Sequence, residues 1–204
     1  MNKITLHKGD LPVGLKHGSI IAVDTEAMGL SAVRDALCVV QISAGDGTAH
    51  VVQLERSYNC PNLKALMSDP KVLKIFHFAR FDVTMMQKWL GITCAPIWCT
   101  KIASKLARTY TDRHGLKDVT RELVGADMNK AQQSSDWGAE TLSDAQLQYA
   151  ASDVLHLHKI REGLLSMLER EGRVDLAQAC FDFLPTRAEL DLKGWDDTDI
   201  FAHS

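Results

Sequence analysis

Three segments of this chain are apolar without alternation: Ser19 to Val23 (SIIAV), Leu37 to Ser43 (LCVVQIS) and Val72 to Phe76 (VLKIF, broken only by Lys74). A strand with one face in water alternates apolar and polar residues, so an unbroken run marks a strand covered on both faces. Covering both faces takes layers of helices, and helical segments follow. Asn62 to Met67 stops at Asp69-Pro70, Arg80 to Leu90 ends at Gly91, Thr100 to Thr109 comes next, and Leu116 to Val124 ends at Gly125. Ser143, with Asp144 in the first turn, opens the clearest helix, expected to run to about Glu171. Its apolar residues Leu147, Ala150, Ala151, Val154, Leu155, Leu157 and Leu165 recur at helical spacing. A last helix is expected from Arg173 to Phe183, interrupted or followed by Pro185. Ala49 to Leu54 returns on Leu37 to Ser43 across the turn Ala44-Gly45-Asp46-Gly47 as a hairpin, and Ile4 to His7 adds a short strand. The expectation is an α/β fold, a mixed central sheet of about five strands flanked by helices. No linker divides it, so residues 1–204 are expected to form a single domain.

Charge and composition exclude several classes. The chain has 23 basic and 26 acidic residues, a formal net charge of -3. That is poor material for a broad basic face on long nucleic acid. It leaves open a small anionic substrate held through bound cations, which reverse the local field. No stretch reaches the length of an apolar membrane span, and the start MNKITLHKGDLPVG lacks the apolar core of a secretory signal. The five cysteines (Cys38, Cys60, Cys94, Cys99 and Cys180) are odd in number and form no framework, as expected in a reducing compartment. A cytoplasmic protein without a membrane partner is therefore expected. Cys94 and Cys99 lack a second pair, so buried thiols are a better reading than a zinc site.

The carboxylates carry the chemistry. Asp24 and Glu26 end the first apolar run, and strand alternation points both the same way. Two charges there are costly unless a cation sits between them, although a solvated turn would also accommodate them. Asp82, in HFARFD, falls in the first turn of a helix, where capping alone would favour it. Tyr149 and Asp153 are one helical turn apart and share a face with the small Ala150 nearby. Each pattern is common alone. In this order they supply four carboxylates and a phenol, the oxygen set that two hard divalent cations need for in-line phosphoryl displacement.

The segments IAVDTEAMGL, HFARFDV and LQYAASDV resemble the three motifs of the DEDD 3′–5′ exonuclease superfamily, and Tyr149 marks the DEDDy branch. The stretch from Gly115 to Leu157 is similar to the ribonuclease D catalytic domain, and the resemblance covers about residues 18 to 170. It implies a ribonuclease H-like fold and a 3′–5′ exoribonuclease. Ribonuclease D continues into helical nucleic-acid-binding domains, so a chain of 204 residues looks more like the compact nanoRNases that cleave dinucleotides. A ribonuclease D-like enzyme acting on longer or structured RNA, or on DNA ends, is the alternative. A phosphatase using Asp24 as nucleophile wants D-x-D, and a catalytically dead scaffold would have lost carboxylates that this chain keeps.

By this resemblance, Asp24, Glu26 and Asp153 hold one Mg²⁺ or Mn²⁺, while Asp24 and Asp82 hold a second. Tyr149 orients the attacking water or accepts its proton. Leu30, in Met28-Gly29-Leu30, resembles the apolar wedge between terminal bases, with Met28 and Gly29 placed at the substrate beside it. His77 could meet a phosphate or base. Arg108 and Arg113 lie in a basic loop that could cap a 5′ phosphate, and Trp137 is expected to pack on the long helix. Phe78 departs from many relatives, which have Asn there. The tail GWDDTDIFAHS carries Trp195, Ile200 and Phe201, as if to dock on its own subunit or a neighbour's. The resemblance implies a closed homo-oligomer, a ring octamer, acting on short single-stranded RNA.

Overall fold

The computed structural model describes residues 3–129 and 131–203. Leu37–Ser43 (β3) is buried along its whole length, as its unbroken apolar run requires. It pairs antiparallel with Ile20–Ala27 (β2) on one side and Thr48–Gln53 (β4) on the other. Lys3–Lys8 (β1) extends the sheet parallel to β4, Leu73–Phe76 (β5) runs parallel to β2, and Ile97–Cys99 (β6) runs parallel to β5. The order is β1-β4-β3-β2-β5-β6, a mixed sheet of six strands where the sequence pattern suggests about five. The extra strand is β6, only 3 residues long and wholly buried, too short for any periodicity to register. The expected hairpin is present: Asp46 Oδ1 accepts from the Thr48 amide at 2.9 Å and its hydroxyl at 2.7 Å.

Helices cover both faces: Pro61–Ser68 (α1), Ala79–Met85 (α2), Thr100–Ala107 (α3), Leu116–Val124 (α4), Asp144–Leu155 (α5), Leu157–Arg170 (α6) and Val174–Leu190 (α7). The main core lies between the sheet and α1, α2, α3, α6 and α7, and a smaller one holds Cys38, Val39, Val51, Trp137 and Leu142 under α5. Helix α2 runs on as a wide π turn, Met86–Leu90, ended by Gly91 at φ 68°. The long helix expected from Ser143 to Glu171 is two helices. The backbone breaks at His156 (φ −102°, ψ −10°), because α5 lies across β2, β3 and β4 while α6 packs on α3 and α4. Pro185 sits inside α7. An interior proline costs about 3 kcal/mol. Burial of Phe181, Leu184 and Ala188, with Phe181 5.2 Å from the Trp98 ring, offsets it.

The tail docks on its own subunit through polar contacts. Asp191 accepts a fork from Arg80 (both contacts 2.7 Å) and bonds from Arg187 at 2.6 and 2.9 Å. Arg187 also donates to the Trp195 carbonyl, and Arg80 to that of Asp196. Phe201 stays mostly exposed, with its ring 6.1 Å from Phe183. Among the described residues, no helix is long and apolar enough to cross a membrane. Cys38, Cys60, Cys94 and Cys99 are buried free thiols.

Candidate active site

Strand β2 runs past its apolar segment and carries Asp24 and Glu26 to its end, where Asp153 reaches them from α5. One oxygen from each of the three lies within 4.8 Å of the others, the one such metal-capable group among the described residues. Asp82, in the first turn of α2, is buried and accepts a 2.6 Å hydrogen bond from Thr25 Oγ1. Gln41 Nε2 donates to Asp24 at 3.3 Å. The four carboxylates and Tyr149 line one cleft of about 310 Å³. Helix α5 is fixed at its start by a capping box: the Gln146 amide donates to Ser143 Oγ, and the Ser143 amide donates back to Gln146 Oε1. That box sets the register that brings Tyr149 and Asp153 to the cleft.

Crowding of carboxyls sets the electrostatics. Burial pushes Asp24 up to about 7. Burial first, then repulsion from Asp24, Asp153 and Asp82, pushes Glu26 up to about 10. Asp82 is raised by burial and by Asp24, against the Thr25 hydrogen bond. The Tyr149 phenol is raised by burial, then by Asp153, Glu26 and Asp24, and by its hydrogen bond to Asp153. Converging hard oxygens that repel one another fit a hard divalent cation such as Mg²⁺ or Mn²⁺.

A pH signature follows. Each acid binds its proton more tightly folded than unfolded, so between the two pKa values the native state holds more protons. The contribution of Asp24 and Glu26 to stability is therefore full below about pH 4 and is lost as pH rises through 7 and 10. The Tm of chelator-treated protein is expected to fall between about pH 6 and about pH 9, and the gain in Tm from added Mn²⁺ to grow over the same range. A Tm gain independent of pH would show that the cation binds elsewhere.

Other residues singled out from sequence fall in different places. Leu30 is 91% exposed and lines the cleft. A Cβ on Gly29 would stand 2.2 Å from Asp35 Oδ2, which makes glycine a requirement of that carboxylate. Met28 is exposed, its Sδ 2.9 Å from Arg56, and it is not among the residues that line the cleft. His77 lines the cleft with Nδ1 2.7 Å from Thr100 Oγ1; that hydroxyl donates to the Phe76 carbonyl and so accepts from the ring. Trp137 is buried against Tyr149, ring centroids 6.0 Å apart. Arg108 is no phosphate cap. It is 1% exposed, paired with Glu122 and bonded to Ser104 Oγ at 2.9 Å and the Arg113 carbonyl at 2.8 Å.

Thr25, Lys101, Lys117, Gln133 and Phe81 also line the cleft and carry no signal in the sequence beyond Thr25 lying between two motif carboxylates. The first turn of α4, Leu116 and Lys117, adds a helix N-terminus to the same wall. Phe78 opens α2 in the left-handed region (φ 68°, ψ 44°), at a cost of about 1–2 kcal/mol for a residue with a Cβ.

A sequence model of the 3′–5′ exonuclease family matches residues 11–169. Ribonuclease D of Gluconacetobacter diazotrophicus is 36% identical over 161 residues, 79% of this chain and 41% of that protein. The chain thus spans about two fifths of the length of the curated relatives it matches first. Two solved structures of Brucella melitensis NrnC superpose with a TM-score of 0.95 each: one with bound Mg²⁺, 54% identical, covering 99% of this chain and 100% of that one, and one bound to pGG, 53% identical, covering 100% of both. The six-stranded mixed sheet, the order of the carboxylates along the chain and these likenesses agree, and the chain belongs to the 3′–5′ exonuclease family, with ribonuclease D and NrnC among the proteins it is similar to.

Proposed function

We propose that this chain hydrolyses short single-stranded RNA, dinucleotides above all, from the 3′ end to 5′-mononucleotides, using two divalent cations, Mg²⁺ or Mn²⁺. The observation that carries it is the convergence of Asp24, Glu26 and Asp153 within 4.8 Å, in one cleft with Asp82 and Tyr149. The pGG held by Brucella NrnC supports a dinucleotide substrate. The net charge of -3 supports a short one.

Bound cations would neutralise the scissile phosphate and lower the pKa of the attacking water. Asp24, Glu26 and Asp153 would hold one ion, and Asp82 with Asp24 would hold the other. Tyr149, in the same cleft and bonded to Asp153, orients the attacking water. Lys101, Lys117 and the start of α4 present positive potential to the phosphates. Leu30 stands between the two bases, with Gly29 and Met28 shaping its loop, and His77 meets the substrate from the other wall. The enzyme works as a homo-oligomer, in the form of a closed octamer.

Substrates labelled at one end or the other test the direction and chemistry. A 3′-terminal nucleotide carrying a 5′-phosphate is expected first, and none in the presence of a chelator. Release from the 5′ end, or cleavage that survives chelation, would overturn the proposal.

A further inference from the structure

Phe78 has no part in the chemistry above. It holds a left-handed backbone that Asn and Gly adopt far more readily than a bulky residue. The residue is 46% exposed, so core burial does not compensate the strain. Strained residues of this kind persist where they serve a ligand. The ring lies on the wall between the catalytic cleft and an adjoining cavity of about 490 Å³, two spaces that share Leu30, Phe78 and Phe81. Lys101 Nζ sits 4.2 Å from the ring centroid, next to a cleft built for phosphate.

A half-exposed phenyl ring with an ammonium over one face, leaving the other for a base, matches what a nucleotide presents, a flat π system and a phosphate. We infer that Phe78 is the stacking platform for one nucleobase of the substrate, beside Leu30, with Lys101 turned to the neighbouring phosphate, and that the left-handed turn exists to place this ring in the cleft. The inference rests on the short-RNA reading above. It adds a residue that selects for base-bearing ends without touching the reacting atoms.

The test compares wild type, Phe78→Ala, Phe78→Trp and Phe78→Asn on a 5′-phosphorylated dinucleotide and on two analogues, each lacking one base. Phe78→Ala is expected to raise KM roughly 10- to 100-fold, with kcat within about threefold. Phe78→Trp restores KM. Removing the stacked base raises the wild-type KM by a similar factor, and Phe78→Ala then adds little. Phe78→Asn, suited to the backbone, raises Tm by about 2–5 °C while raising KM as Ala does, which a residue kept for packing would not do. An unchanged KM in Phe78→Ala, or an equal rise on the full dinucleotide and both analogues, would overturn the inference. The wild-type rate on the dinucleotide is read first. Its absence removes the short-RNA reading, and the same comparison at the 3′ end of a longer RNA then decides Phe78.

Discussion

Asp153→Ala and Asp82→Ala are each expected to lower kcat on a 5′-phosphorylated dinucleotide by about 10³-fold or more. A metal-bound phosphoryl group gains several kcal/mol of stabilisation as charge develops, and about 4 kcal/mol is a factor of about 10³. Asp153 supplies one of the three oxygens within 4.8 Å, so its loss opens that site. Asp82 is held by Thr25 at 2.6 Å, and Asp82→Asn keeps this acceptor while removing the charge. Equal losses in Asn and Ala variants therefore assign the effect to charge and not to packing. Stability moves the other way. Asp153 is one of the repulsive neighbours that raise Glu26, so its removal relieves the metal-free site. Tm in chelator is expected to hold or rise while activity is lost. A near-normal rate in either alanine variant would contradict the metal assignment.

Much of the fold was legible because its elements have local causes. The unbroken run of β3 marks a strand buried on both faces, and both its flanking layers are there. Ser143 marks the start of α5 through the reciprocal bond with Gln146, chemistry contained within four residues. Asp24, Glu26, Tyr149 and Asp153 follow from the two periodicities, since alternation and one helical turn decide which side chains share a face. What stayed hidden depends on distant partners. The break at His156 answers to α3, α4 and the sheet, none of which lies near it in sequence. Pro185 stays helical because Phe181 meets Trp98, far back in the chain. Arg108 looks like a free cation in a basic loop until Glu122 and the Arg113 carbonyl close around it. The docking of the tail likewise needs Arg80 and Asp191, 111 positions apart.

Substrate length carries the second large effect. The cleft has about 310 Å³ and Lys101 and Lys117 line it, two cations for the few phosphates of the proposed dinucleotide substrate. Arg34 and Arg80 line the adjoining cavity but are already paired with Asp35 and Asp191, so a further phosphate that meets no free cation there is expected to cost about 2–3 kcal/mol, or a factor of roughly 100. The most direct measurement is kcat/KM on a 5′-phosphorylated dinucleotide and on an RNA of about 20 nucleotides, for wild type and Asp82→Ala. The dinucleotide is expected to be favoured about 100-fold, with Asp82→Ala inactive on both. A preference for the long RNA, or cleavage that persists in Asp82→Ala, would contradict a metal-dependent exonuclease built for short RNA.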